Sequence, residues 1–242
     1  QQVEAAMHRI AGASVQGREQ CERLDASLRG IESAMQRTAT GLSSALGRTE
    51  TFLQVSEQMI ETVANCGIET EDTPYIAAVR QAAAQIAKLL EDAVRTGVSN
   101  VEDLFDEQYV PVPGSSPQQH TTRFTALADR LFPQVQEKLL SLSDKVVFCI
   151  AVDRNGYVAC HNAKYNQPQR PADTLWNTAN CRNRRIFNDR TGLASGRNTK
   201  PFLLQTYRRD MGGGQFVVMK EAAAPITVNG RHWGGLRLAF KF

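Results

Sequence analysis

The chain has 242 residues, 42% hydrophobic and 22% charged, with a formal net charge of +3; this is the composition of a globular protein long enough to bury a real core. No window approaches the roughly 18 consecutive apolar residues of a membrane span, and no signal-peptide pattern opens the sequence. Five cysteines (Cys21, Cys66, Cys149, Cys160 and Cys181) form an odd set without CxxC spacing, which speaks against a disulfide framework and for a reducing, cytoplasmic setting.

The chain starts at Gln1, as expected for a piece of a longer protein. Residues 1–64 contain no proline and follow a seven-residue repeat. Positions Val3, Ile10, Gly17, Leu24, Ile31, Thr38, Ala45, Phe52 and Met59, with Met7, Ser14, Cys21, Leu28, Met35, Leu42, Thr49, Ser56 and Val63 four residues on, give thirteen apolar residues out of eighteen. Such a seam predicts one long helix that needs a partner, and a second copy of the same helix supplies it in a parallel homodimer. Several shorter helices folding into a bundle are the alternative.

Cys66-Gly67 marks the end of this helix. Thr73-Pro74 then opens another, with Thr73 as the cap, placing Ile76, Val79, Ala83, Ile86, Leu90 and Val94 on one face before Gly97 stops it. A short helix capped by Ser99 or Asn100 follows. The proline-rich stretch YVPVPGSSPQQ (109–119) reads as a surface loop. Residues 121–142 read as a helix that Pro133 kinks or divides.

From Lys145 the hydrophobic period changes to that of strands. VVFCIAVD (146–153), Arg154-Asn155-Gly156 and YVACHN (157–162) predict a β-hairpin, residues 174–187 a helix, and 192–198 a turn. Three strands close the chain: 201–210, 215–228 and 231–242, joined through Gly212-Gly213-Gly214 and Asn229-Gly230. Pro225 inside the second of them implies a bulge or a stretch without a partner. The expected fold class is α+β: a coiled-coil helix over 1–65, a helical region over 66–143, and a five-stranded antiparallel sheet with a helical insertion over 144–242.

Between Trp176 and Asp210 lie eight basic residues (Arg182, Arg184, Arg185, Arg190, Arg197, Lys200, Arg208 and Arg209) against two acids, Asp189 and Asp210. Guanidiniums bind carboxylates and phosphates bidentately, so part of this block suits the wall of a pocket for a small anion. In a strand Arg208 and Arg209 point to opposite faces, so at most one of them meets a ligand. The other use of these arginines is to pair with nearby acids and pin the insertion to the sheet. Trp176 and Trp233 are candidate apolar walls, with core packing as the plainer role. The candidate ligand residues are Trp176, Asn177, Asn180, Arg182, Arg185, Tyr207, Arg208 and Trp233.

Cys160, His161 and Cys181 offer an alternative, a metal, haem or redox site, although zinc spacing and a CxxCH haem motif are both missing. The sequence names no cofactor. With no HExxH, GxSxG, P-loop or paired-carboxylate signature, an enzyme is not expected. Nor is nucleic acid an expected partner, because the basic residues cluster in one segment without a recognisable binding motif.

The segments VFCIAVDRNGYVACHN, NTANCRNRRIFNDRTGL, RNTKPFLLQTYRRDMGGGQF and NGRHWGGLRLAFKF together resemble the C-terminal, PAS-like Cache sensor region of cytoplasmic bacterial methyl-accepting chemotaxis proteins. The resemblance covers about residues 66–242 and is specific in the last hundred. It implies a sensor following a signalling coiled coil, a small-molecule ligand, and a chemotaxis kinase and adaptor that engage segments outside this chain. It leaves open the ligand, because Cache modules bind amino acids, organic acids, amines and purines.

Overall fold

The computed structural model describes residues 2–242, which fall into two compact units meeting between Ser56 and Glu57. Helix α1 (Gln2–Asn65) is continuous. In the first unit its seam residues stand in solvent: Val3, Ile10, Leu24, Ile31, Met35 and Leu42 are all exposed, and Phe52 reaches 71%. Thr38 and Thr49 interrupt the apolar seam but not the helix, because each hydroxyl donates to the carbonyl four residues back, Ala34 and Ala45, at 2.9 Å.

The second unit begins with the last turns of α1 and then α2 (Thr73–Arg95). The cap of α2 falls on Asp72, one residue before the expected Thr73. The reason lies in the tertiary structure: Lys220 holds the Asp72 carboxylate at 3.0 and 3.1 Å, so it makes no cap bond. The Thr73 hydroxyl instead accepts the Thr70 N–H at 2.8 Å. Ile76, Val79, Ala83, Ile86 and Leu90 are buried on one face, as their spacing requires. Helix α3 (Val101–Leu104) is capped by Asn100, whose side chain accepts the Asp103 N–H. The proline-rich loop carries only a small ladder, β1 (Val110–Pro111) with β2 (His120–Thr121). Pro133 divides the next helix into α4 (Thr125–Leu131) and α5 (Pro133–Gln136), followed by a 3-10 turn over Lys138–Ser141.

The sheet is antiparallel with four strands, not the expected five. It consists of β3 (Val146–Asp153), β6 (Leu203–Gly212), β7 (Gln215–Val228) and β8 (Arg231–Phe240) in the order β3-β8-β7-β6. The C-terminal strand takes the edge of β3 from Val146↔Phe240 to Asp153↔Gly234. Residues 157–162 therefore do not run back along β3. Asn155-Gly156 does turn the chain, but Asp153 accepts the N–H groups of Asn155 and Tyr157 at 2.9 Å each and steers it out of the sheet. The short β4 (Tyr157–Val158) then pairs with β5 (Arg185–Ile186). A side chain at Gly156, which sits at φ +81, would collide with the Phe187 carbonyl beside it. Pro225 faces β8 alone, since the β6 pairing stops at Ala223, and a register shift follows at Ile226/Thr227.

Two further expectations change. The helix predicted over 174–187 ends early as α6 (Thr174–Asn180), because Arg184 and Phe187 donate to Val158 and Gly156 and complete the β4–β5 ladder instead. The turn predicted at 192–198 is helix α7 (Arg190–Arg197), capped by Asp189, which accepts the Gly192 N–H at 3.0 Å. Its glycines disguise a helix but serve close approach: a Cβ at Gly196 would strike the Asp153 carbonyl.

The fold is α+β, with the sheet between two layers. On one face α2, α4 and α5 share an apolar core with Leu236, Leu238 and Phe240, and Tyr75 stacks on Phe240 at 3.9 Å. On the other, a smaller cluster of Phe148, Ile150, Val152, Val158 and Ala239 lies among polar residues, with Tyr165, Phe187 and Tyr207 packed against it.

Candidate functional site

Period-two alternation puts Gln205, Tyr207 and Arg209 of β6 on that second face. The covering segment brings His161, Arg182, Arg185 and Phe187. Between them lies a cavity of about 180 Å³ lined by Phe148, Ile150, His161, Arg182, Arg185 and Phe187, with Thr178, Asp189, Tyr207, Arg208, Arg209, Asp210 and Arg237. Arg209, Arg237 and His161 are buried, whereas Arg208 and Asp210 are exposed.

Each guanidinium is held differently. Arg237 is neutralised: it donates from Nε to both Glu221 oxygens at 3.0 Å and from Nη2 to Oε2 at 2.7 Å. Burial opposes its charge, but the Glu221 carboxylate outweighs that and holds the pKa above the ordinary value. Glu221 also accepts from the Ser195 hydroxyl at 2.6 Å and Gln205 Nε2 at 3.3 Å, so its oxygens are fully engaged. Arg182 donates to the carbonyls of Thr178 and Asp210 at 3.0 Å, and Arg185 to Thr178 O at 3.3 Å. Thr178 lies in the last turn of α6, where carbonyls lack helical partners and attract cations. Both guanidiniums also lie 5.0 Å from the Phe187 ring centroid.

Arg209 is the outlier. Its guanidinium lies 4.2 Å from the Tyr165 centroid and 5.1 Å from that of Phe148. Its Nε and Nη2 are buried without a hydrogen-bond partner. Among the described residues no carboxylate forms an ion pair with Arg182, Arg185 or Arg209. The consequence shows in their neighbours: burial, then Arg209 and Arg185, push Arg182 down to about 9. Burial, then Arg209 and Arg182, hold His161 well below its ordinary value. Since His161 Nδ1 accepts the Asn162 N–H at 2.8 Å, the neutral ring carries its proton on Nε2.

Of the residues singled out in the sequence, Arg182, Arg185, Tyr207 and Arg208 meet at this cavity. Arg208 reaches it from the other side of the strand, 4.5 Å over Phe216, so the buried member of the pair is Arg209. The other four do not line it. Trp176 is covered by Arg170 at 3.6 Å, and Asn177 ties the 170s loop together through Arg170 and Ser116. Asn180 bonds back to Trp176 O. Trp233 lies on the opposite face, donating to Leu104 O at 2.8 Å between Phe124 and Phe132. Sequence reasoning missed Phe148, Ile150, Phe187 and Arg237 and took Arg208 with Arg209 as its alternative; Tyr207 and Arg209, two apart in one strand, were the available signal.

Cys160, His161 and Cys181 do not converge. Cys181 is engaged with Pro168 O and Asn177 Oδ1, and burial raises its thiol. Burial, with Asp129 behind it, pushes Cys160 up to about 12. No group of three or more His, Cys, Asp or Glu placed to hold a metal occurs among the described residues. No protein-family model matches the chain, and a search of curated proteins gives no match either.

Proposed function

We propose that the chain is the sensory region of a cytoplasmic bacterial chemoreceptor, with a PAS-like Cache domain that binds a small anionic molecule and signals through a dimeric coiled coil. The observation that carries this reading is the cavity itself: three guanidiniums without carboxylate partners against the sheet face opposite α2. The motifs from Val147 to Asn162 and from Asn177 to Leu193 support it. Their residues build the turn at Asp153 and the cavity wall, the places where a ligand-binding module needs defined chemistry.

The exposed seam of α1 supports the dimer, since a second copy would bury it as a parallel coiled coil. Within the second unit, Arg190 donates to Glu57 at 3.0 Å and Lys200 to Glu61 at 2.9 Å, joining the segment around α7 to the last turns of α1. Ligand binding shifts signalling only by its different affinity for two states of this connection. The kinase and adaptor would engage segments outside the chain.

A thermal-shift screen with organic acids, amino acids and nucleotides, run on the natural chain and on Arg185→Ala, tests the ligand site. At least one anion should raise the melting temperature of the natural chain and not of the variant. Sedimentation at tens of micromolar tests the dimer, and a monomer there would rule it out.

A further inference from the structure

We infer that the cavity takes a small organic monocarboxylate whose body is an apolar group about the size of one ring. This rests on the reading above that the cavity is a ligand site, and it narrows the ligand to one class.

Size comes first. A cavity of about 180 Å³ exceeds the roughly 150 Å³ apolar cavity known to admit benzene. It therefore has room for a ring with one substituent. The deep part of the wall is of two kinds. One is apolar: Phe148 and Ile150, both buried on the sheet, with Phe187 across from them. The other is cationic: Arg209 with two buried N–H groups that have no partner, Arg182 beside it, and His161 as a neutral donor. A ligand that satisfies both must carry a negative charge on one end and hydrocarbon on the other.

Two competing classes fit less well. A phosphate dianion is met by N–H groups on all sides, usually at a helix N-terminus or a backbone nest. Here the N-terminus of α7 is already capped by the Asp189 carboxylate, so its N–H groups are not open to an anion. An amino acid needs a carboxylate for its ammonium group. The buried carboxylate nearby, Glu221, is committed to Arg237, Ser195 and Gln205. Asp189 and Asp210 lie at exposed positions, each with an oxygen taken by the backbone N–H of Gly192 or Gly212.

The experiment is titration calorimetry with a parallel thermal-shift assay on the whole chain. Its probes are benzoate, cyclohexanecarboxylate, benzamide, acetate, inorganic phosphate and phenylalanine. Benzoate or cyclohexanecarboxylate should bind and raise the melting temperature. Benzamide, which has the ring without the charge, should not, and acetate should bind more weakly than either. Arg209→Gln should weaken the ring carboxylates by roughly thirtyfold or more, the usual effect of removing one partner of a desolvated charge pair. Because the same change deletes a buried guanidinium with unsatisfied N–H groups, the melting temperature of the free protein should hold or rise. Arg185→Gln, at a half-buried position, gives a second reading of the same loss should the first variant fold poorly.

Binding of phosphate or phenylalanine without the ring carboxylates overturns the assignment of class while leaving a ligand site in place. No binding by any probe, together with a clear fall in the melting temperature of Arg209→Gln, overturns both, because Arg209 is then a structural residue.

Discussion

The two faces of the sheet are built on opposite rules. Against α2, α4 and α5 it presents Leu236, Leu238 and Phe240 to Ile86, Leu90 and Phe132, an interior with few polar groups to satisfy. Against the covering segment the same strands present Arg237, Glu221, Gln205 and Arg209, all buried. The first face obtains stability from hydrocarbon removed from water. The second holds charges that cost desolvation, and only some are compensated. Arg237 and Arg209 make the contrast within one face, since one has a bidentate carboxylate and the other has two orphaned nitrogens. Buried charges of the second kind cost the fold free energy, and their place in a cleft marks a candidate functional site.

The largest expected effect breaks the compensated half of the charged face. Glu221→Ala leaves Arg237 buried and uncompensated and leaves Ser195 with only the Thr191 carbonyl as acceptor, and should cost about 3–5 kcal/mol in denaturant unfolding. A loss under about 1 kcal/mol would mean that Arg237 reaches water. On the apolar face Leu90→Ala, at a site 1% exposed, should cost about 2–5 kcal/mol with little effect on ligand binding. If it abolished binding at unchanged stability, the two faces would not be independent.

A smaller effect is in pH. His161 has its folded pKa depressed below the ordinary 6.5, so the folded state resists protonation while the unfolded chain accepts it. Its contribution is fully present above about 6.5 and declines as the pH falls below that, by at most about 1.4 kcal/mol per pH unit. His161→Gln should remove that slope, as melting curves between pH 5 and pH 8 would show. The smallest effect is at the junction with α1. Glu61→Ala breaks the pair with Lys200 and should change stability by about 0–1 kcal/mol in denaturant unfolding; a larger loss would mean that this contact is coupled to the fold around α7.

The features legible in the sequence are local ones. The face of α2 follows from apolar residues three and four apart, the division at Pro133 from a missing N–H, and the Asn229-Gly230 hairpin from residues that tolerate positive φ, here +50 and +76. Helix α7 was hidden because Gly192 and Gly196, breakers by propensity, are required there by a close approach to the Phe187 and Asp153 carbonyls. The arginine-rich segment was legible as a class, and Arg182 and Arg185 do line the cavity. Which of Arg208 and Arg209 is buried was not legible, because alternation shows that the two differ without showing which face is inward.

By itself, then, the sequence determined the α+β class, the seven-residue repeat of residues 1–64, and the concentration of cations between Trp176 and Asp210. Each depends on neighbours within a few residues. Only the tertiary structure decided that β3 pairs with the C-terminal strand and not with residues 157–162, that Trp233 belongs to the core, and that Arg237 is paired while Arg209 is not. Those outcomes depend on contacts between positions far apart in the chain, such as Asp153 with Gly234 and Glu221 with Arg237. A local pattern carries no information about which distant carboxylate reaches which guanidinium.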